Sequence, residues 1–494
     1  MLVCSGCKGD QNVGAILWRE SRYYSRVAQR IDARKGIHAM AAVMRAMRGV
    51  IDTLRLAIPK IGAGWMFALL TSNFNRVSIH ELGIAAVVIT MMIGMHHFLS
   101  PFQVVMGRLT DRFPIFGYRR TPYFFIGSML CATVFVFLPQ AALMMSQGNT
   151  IGFIFGFGLL FLFGIGIATT GDTHHALIAE VTSSEKRGAV VATVWTFTII
   201  SAIAAAIVIK VNISETFVFA EMERIYAFTP LIVFIAALPI LGIEKRRTNE
   251  DLRHIAATSM TAAVSPLNAL GVAFSLIKTN SQVRAFFFFV IFSIIGIFLQ
   301  DAILEVFGGE VFGMSIKETS SFNTMWGGGV LIGMVIMGIL SSTTSIKKKT
   351  IGIVGGLGTA FGLGILAIAA FTGQRALMTP ALVVMGLFTG FYNVGALSLM
   401  MDMTVEGSTG LYMGMWGMAQ AFGTGLSTIL SGALKSGLIE TGLMSPAMGY
   451  TTIFGIEVVL MTLGAAMLRN VSIAEFRTLS TKDLSLAMEN SATA

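Results

Sequence analysis

Two carboxylates open the reading of this chain. In Gln300-Asp301-Ala-Ile-Leu-Glu305 they stand four residues apart at the edge of a long apolar stretch. On a continuous helix that spacing puts both on one face, where paired carboxylates can share a proton or a cation. An exposed acidic rim is the plainer alternative. His96 and His97 lie deep in another apolar stretch. Neighbouring residues on an α-helix point about 100° apart, so at most one of the two faces a given cavity. Neutral imidazole ligates metals, the magnesium of a chlorin included. A histidine hydrogen-bonded to a neighbouring helix is the commoner use. Asn73, Asn75 and Arg76 end a further apolar run beside His80 and Glu81. Polar groups inside a membrane are costly and are functional candidates for that reason, although Arg76 could snorkel to the interface. Asp172, His174 and His175 close another run, as a proton relay or as a polar helix end. Cys4-Ser-Gly-Cys7 has metal or redox spacing, but no second pair or histidine cluster follows it.

These groups need elements to hold them, and the composition says which. The chain has 494 residues, 54% of them hydrophobic and 12% charged. A soluble protein of this length needs far more polar surface, so the class is all-α and polytopic in a membrane. A spanning helix takes about 20 apolar residues. Twelve stretches read as spans: 61–77, 82–106, 122–144, 151–170, 189–211, 225–243, 283–306, 322–340, 350–371, 381–401, 411–438 and 450–468. The chain then divides into a basic N-terminal extension, 1–55, a six-span half, 56–243, a polar link, 244–282, a second six-span half, 283–470, and a tail, 471–494. In the extension Met40, Met44, Met47, Ile51 and Leu54 recur at helical spacing among Arg45, Arg48 and Arg55. This is a basic amphipathic helix, for the membrane surface or for packing on the rest of the protein. No cleavable signal sequence is expected ahead of the first span.

The net charge of +9 does not mean nucleic acid, because the cations sit in the links and the N-terminal extension. The alternate links carry Arg119-Arg120, Lys186-Arg187, Lys245-Arg246-Arg247 and Lys347-Lys348-Lys349. The others carry isolated cations such as Lys210, Lys317, Arg375 and Lys435. The positive-inside rule places both termini in the cytoplasm. The two halves echo one another: Ala-Glu180-Val-Thr after the fourth span and Met-Asp402-Met-Thr after the tenth put an acid at the helix end before a short polar turn. Trp326-Gly-Gly-Gly329 and Met413-Gly-Met-Trp416-Gly-Met suit helices that slide or curve. No nucleophile–base set, phosphate-binding glycine loop or zinc spacing argues for an enzyme.

The most specific stretch is Gly107-Arg-Leu-Thr-Asp111-Arg112-Phe-Pro114-Ile-Phe-Gly117-Tyr118-Arg119-Arg120-Thr-Pro122. It resembles the link between the second and third helices of major facilitator transporters, with extra residues before Gly117. Together with Ser100-Pro101-Phe102, with Asn75-Arg76 and Glu81-Leu82-Gly83, and with Gln300-Asp301-x-Ile-Leu-Glu305-x-Phe307-x-Gly309, it resembles the PucC/LhaA family. The resemblance covers about residues 60–470. It implies a twelve-helix facilitator fold in the photosynthetic intracytoplasmic membrane of a bacterium. It implies an assembly factor for light-harvesting complexes, with bacteriochlorophyll as cargo and antenna polypeptides, the reaction-centre complex and membrane lipids as partners. A latch of Gly107, Asp111, Arg112, Gly117, Arg119 and Arg120 would brace the cytoplasmic ends. Asn75, Arg76, His96, His97, Asp172, His174, Gln300, Asp301 and Glu305 are the candidates for a pigment head or a polar cavity. A proton-coupled small-solute transporter and a permanent photosystem scaffold are the alternatives.

Overall fold

The computed structural model describes residues 40, 43–44, 47–100, 102, 106, 109–110, 113–182, 184–248, 274–344, 346–403, 409–476 and 478. Gly107, Asp111, Arg112, Cys4, Cys7 and most of the basic extension lie outside them. The chain separates into two units, 1–55 and 56–494. In the first, Met40, Met44, Met47, Ile51 and Leu54 are all exposed.

The second unit is built of helices: α1 (Lys60–Ala68), α2 (Ala86–Met95), α3 (Thr121–Ser146), α4 (Thr150–Val181), α5 (Ser184–Asn212), α6 (Phe219–Ala227), α7 (Thr229–Ala237), α8 (Ser281–Phe298), α9 (Leu304–Phe312), α10 (Ile316–Thr319), α11 (Ser321–Thr343), α12 (Lys348–Thr372), α13 (Met378–Asp402), α14 (Thr409–Lys435) and α15 (Pro446–Leu468). Their starts follow from local chemistry. Asn149 caps α4 by accepting from the Ile151 amide, Asn280 caps α8 through the Gln282 and Val283 amides, and Ser445 with Pro446 opens α15. Gly313 and Gly373 end α9 and α12 in left-handed conformation.

Among the described residues, ten helices are long and apolar enough to cross a membrane, and Ala86–Leu99 is a shorter apolar helix. The count of twelve spans is therefore not reached by length and apolarity alone. Two spans read as single helices are broken. The stretch 283–306 ends as α8 at Phe298, turns, and resumes as α9 at Leu304. The stretch 225–243 belongs to α6 and α7, which meet at Phe228 with Pro230 at the start of α7. A proline there fits a helix start and cannot continue the ladder behind it.

Packing runs α3 on α4 and α7, and α1 on α5 and α7; later in the chain α12 packs on α13 and α15, α11 on α13, and α8 on α14 and α15. Two apolar clusters draw almost wholly on residues 56–240 and two on residues 276–476. The earlier and later helices meet where α2 lies on α14 and α5 on α11. At the first seam Gly94 faces Gly425, and Phe98 stacks on Phe422 at 5.9 Å. Large apolar side chains such as Ile154, Phe361 and Phe371 point outward, as a lipid-facing surface requires.

Candidate functional site

One end of the bundle carries the basic links. There Ile115 and Tyr118 exchange two backbone hydrogen bonds of 2.9 Å around the two-residue turn Phe116-Gly117. Both turn residues have positive φ, 54° and 83°, the geometry of a tight hairpin that glycine accepts freely and phenylalanine does not. Arg120 reaches Glu180 through Nε at 3.0 Å and donates from Nη1 to Thr110 at 2.6 Å. Arg119 and Arg247 approach the same carboxylate at 3.7 and 3.9 Å. Burial lowers the Arg119 pKa, as does neighbouring Arg120, while Glu180 opposes the shift. Glu244 accepts the main-chain amides of Arg119 (2.7 Å), Arg120 (3.1 Å) and Thr121 (2.8 Å), and the Thr121 hydroxyl at 2.7 Å. A carboxylate thus sits on the first turn of α3, where the unpaired N–H groups favour negative charge. Gly117 and its two arginines are held by Glu180, Glu244 and the Arg247 amide, which donates to the Gly117 carbonyl at 3.0 Å. Asp402, the counterpart of Glu180, takes Lys348 at 2.9 Å. The two helix-end acids therefore do equivalent work, each anchoring a cation from a basic link.

At the opposite end Arg76 does not snorkel: it is 2% exposed. Its Nη2 bonds Glu81 at 3.1 Å and donates to the Met314 carbonyl at 3.0 Å. The guanidinium lies against Gly309, where a β-carbon would stand 2.5 Å from Cζ. Lys435, read from the sequence as an isolated link cation, is buried between Glu310 (3.1 Å) and Glu440 (2.8 Å). The Tyr450 hydroxyl donates to Glu310 at 2.8 Å. Glu440 also accepts the Ala86 amide at 3.1 Å, and Ser436 accepts that of Val87 at 3.1 Å. Ser315 and Lys317 reach Glu215 at 2.7 and 3.3 Å. These bonds tie earlier helices to later ones. Hydrogen bonding from Ser315 and Lys317 holds the Glu215 carboxyl below its ordinary range. A cavity of about 340 Å³ opens beside it, lined by Lys210, Lys317, Arg375, Glu318 and Met314.

Three further carboxylates stand in or between the apolar helices: Asp301, half-buried, and Glu305 and Glu457, buried. Asp301 and Glu305 do not share a helical face, which corrects the expectation. Asp301 stands in the break between α8 and α9, and Glu305 in the first turn of α9. The break is set by Gln300, whose Nε2 donates to the Ile297 carbonyl at 3.0 Å, and by tight turns that pair Asp301 N with Phe298 O and Ile303 N with Gln300 O. Glu305 is 5% exposed, and the Ser72 hydroxyl reaches it. Ser72 in turn pairs with Asn323. Asn75 donates to the Thr71 carbonyl at 2.7 Å. Glu457, on α15, is fully buried. Both Glu457 oxygens, the Gln300 Oε1, both polar atoms of Asn73, the Asn75 Oδ1, and the Arg76 Nε and Nη1 have no hydrogen-bond partner.

The histidines lie elsewhere. α2 tightens into a 3-10 turn over His96–Leu99, and the two imidazoles lie 3.9 Å apart, centre to centre. His96 leans on Phe163 and bonds the Ile93 carbonyl through Nδ1, while His97 packs against Gly425 at the seam with α14. His174 is buried and donates from Nε2 to the Leu56 carbonyl at 2.8 Å, a helix brace. Asp172 is half-buried on the same helix, with Oδ2 unpartnered. The structure thus does not bring the candidates into one site: His96 and His97 follow α2, Asp172 and His174 stand on α4, and Glu305 is on α9. Among the described residues no group of three or more His, Cys, Asp or Glu side chains could hold a metal ion. Glu244, Glu457 and the Glu310–Lys435–Glu440 set are not singled out by the sequence reading. Glu457 has a visible signal there, as the one acid within 450–468.

The helical arrangement is shared with solved transporters. It matches a structure of a proton dependent oligopeptide transporter with a TM-score of 0.64 at 13% identity, over 87% of this chain and 99% of that one. It matches the nucleoside transporter NupG with a TM-score of 0.60 at 16% identity, over 84% and 98%. The inward-open xylose transporter XylE from E. coli gives 0.60 and 14%, over 86% and 98%. The chain is a multi-pass membrane protein of the major facilitator fold. Residues 73–476 match the PUCC protein family model, and the chain belongs to that family. Its relatives include "Bacteriochlorophyll synthase 44.5 kDa chain" of Rhodobacter capsulatus, 28% identical over 86% of this chain and 96% of that one. An "Uncharacterized protein in puhA-bchM intergenic region" of the same species is 26% identical over 84% and 88%. "Protein PucC" of Cereibacter sphaeroides is 25% identical over 82% and 88%.

Proposed function

We propose that this protein is an assembly factor for bacterial light-harvesting complexes. It holds or delivers bacteriochlorophyll, antenna polypeptides, or both, in the photosynthetic intracytoplasmic membrane, with both termini in the cytoplasm. The observation that carries the reading is membership of the PUCC family over residues 73–476. The work is binding rather than catalysis. His96 uses Nδ1 on the Ile93 carbonyl, so Nε2 is the nitrogen that would meet a chlorin magnesium. The unpartnered groups of Asn73, Asn75, Arg76 and Gln300 would meet polar substituents of a pigment head. The basic end, with Gly117, Arg119 and Arg120, would brace the cytoplasmic ends of the helices. The test is an absorption spectrum and a partner list for the protein purified from its native membrane in mild detergent. Near-infrared pigment bands with co-purifying antenna or reaction-centre polypeptides are expected. A colourless protein without such partners would sink the proposal.

A proton-coupled small-solute transporter is the second reading, favoured by the half-buried Asp301 and the buried Glu305 and Glu457. Uptake assays with a pH gradient separate it from the first. A permanent scaffold subunit would be present in stoichiometric amount in the purified photosystem.

A further inference from the structure

Glu457 is the one charged residue within α15; the assembly-factor reading gives it no role, and the inference drawn from it rests on the proton-coupled reading. It sits at 0% exposure, and neither carboxylate oxygen has a partner of hydrogen-bonding geometry. Its neighbours Ile453, Phe454 and Met461 are buried apolar side chains. The polar group beside it belongs to the α8–α9 break: the main-chain amide of Gln300 approaches the carboxyl, and Asp301 is the next residue in the chain. The elements packed on α15 bring other ionisable groups, but these are already engaged. Lys435 of α14 lies between Glu310 and Glu440, and Arg76 lies on Glu81. The Tyr450 hydroxyl, on α15 itself, is spent on Glu310. On α12, Lys348 binds Asp402 and Lys349 donates to the Val471 carbonyl. On α8, Arg284 donates to the Lys278 carbonyl at 3.1 Å, and both Glu457 oxygens stand without a hydrogen-bonding partner among the described residues.

An ionised carboxylate in such a place has neither water nor a counter-charge, and the group neutralises instead. We infer that Glu457 is a proton-binding site in the membrane core, filled in this conformation, with Asp301 as the group through which the proton exchanges. Asp301 fits the second role by position. It is half-buried, lies in the helix break, and follows Gln300, whose main-chain amide approaches the Glu457 carboxyl. In exchange the proton leaves the Glu457 carboxyl for the Asp301 carboxylate; Glu457 is left charged and Asp301 neutral, so the pair carries one proton throughout. Glu457 as a neutral acid has an O–H to donate, and the unpartnered Gln300 Oε1 is an acceptor in the same break.

The experiment is infrared spectroscopy on the full-length protein in lipid nanodiscs, wild type against Glu457→Gln, with thermal unfolding of both at neutral pH. A protonated-carboxyl band is expected in the wild type well above the ordinary carboxylate range, and it should be missing from Glu457→Gln. That variant has the shape and charge of the filled site, so its midpoint should match the wild type. Asp301→Asn should keep the band and slow its disappearance in deuterated buffer. Identical infrared spectra for wild type and Glu457→Gln would overturn the inference. So would a sodium-dependent rise in wild-type midpoint that Glu457→Gln abolishes, which would assign the site to a metal cation. If Glu457→Gln fails to accumulate, Glu457→Asp decides. A shifted protonated band supports the assignment, and a spectrum without one counts against it.

Discussion

Gly309 faces the buried guanidinium of Arg76 with no room to spare. Gly309→Ala is expected to destabilise the protein by about 1–3 kcal/mol, the usual cost of overpacking a filled site. Thermal unfolding in detergent reads it, and an unchanged midpoint would mean that Arg76 has slack. Glu244 serves three amides and one hydroxyl at the start of α3. Glu244→Ala should cost about 1.5–3 kcal/mol, as for a hydrogen-bonded charge, because buried donors are left bare. Much at this scale is not legible in the sequence. Asn75, Arg76 and Glu305 stand out there as intramembrane polar groups; in the structure Asn75 bonds Thr71, Arg76 bonds Glu81 and the Met314 carbonyl, and Glu305 meets Ser72. Their partners stay hidden because hydropathy says that a residue is costly, not what faces it. Lys435 reads as a link cation because its two acids, Glu310 and Glu440, belong to separate elements.

At the scale of elements, the hairpin at Ile115–Tyr118 stores local strain. Phe116 stands at φ 54° and is 82% exposed, so no burial offsets the left-handed cost of roughly 1–2 kcal/mol. Phe116→Asn is expected to raise stability by up to about 1 kcal/mol. A loss of antenna complexes in cells, alongside that gain, would show that the aromatic tip serves recognition. Extra residues before Gly117 are visible in the sequence but a hairpin is not, since two successive left-handed residues leave no mark when one is phenylalanine. The break at Leu299–Ile303 escapes for a similar reason. Its residues Leu-Gln-Asp-Ala-Ile are tolerated in helices, and side-chain bonding to the Ile297 carbonyl decides the outcome.

For the whole molecule, the ties between earlier and later helices named above gather at the end that holds Arg76 and Glu440. Cysteines placed at Val87 and Ser436, whose residues already touch through a 3.1 Å hydrogen bond, are expected to cross-link readily in this conformation. Poor cross-linking in membranes would show that another arrangement predominates. The Glu215 tie adds a pH dependence. Its carboxyl is held below the ordinary value of 4.5. Its contribution is therefore complete above that value and is lost as pH falls through the lower, folded one. Glu215→Gln should lower the midpoint at neutral pH, and the gap to wild type should close in acid. The general architecture is legible because spanning helices and basic links are composition-level signals. The exact number of spans is not, because a broken helix and a continuous one can have equal hydropathy.

The glycines of α11 and α13 bear on how this molecule is put together. Gly329 lies so close to α13 that a β-carbon would stand 2.8 Å from the Val383 carbonyl and 2.9 Å from the Leu387 amide, and Gly386 and Gly390 return the contact onto Trp326 and Val330. Such a seam has teeth. Moving one helix past the other by a turn would drive side chains such as Leu387 into backbone, so the two helices do not slide over one another as the glycine run alone suggests. That seam fixes one register of the two helices, so any rearrangement of the bundle is expected to carry α11 and α13 as a pair.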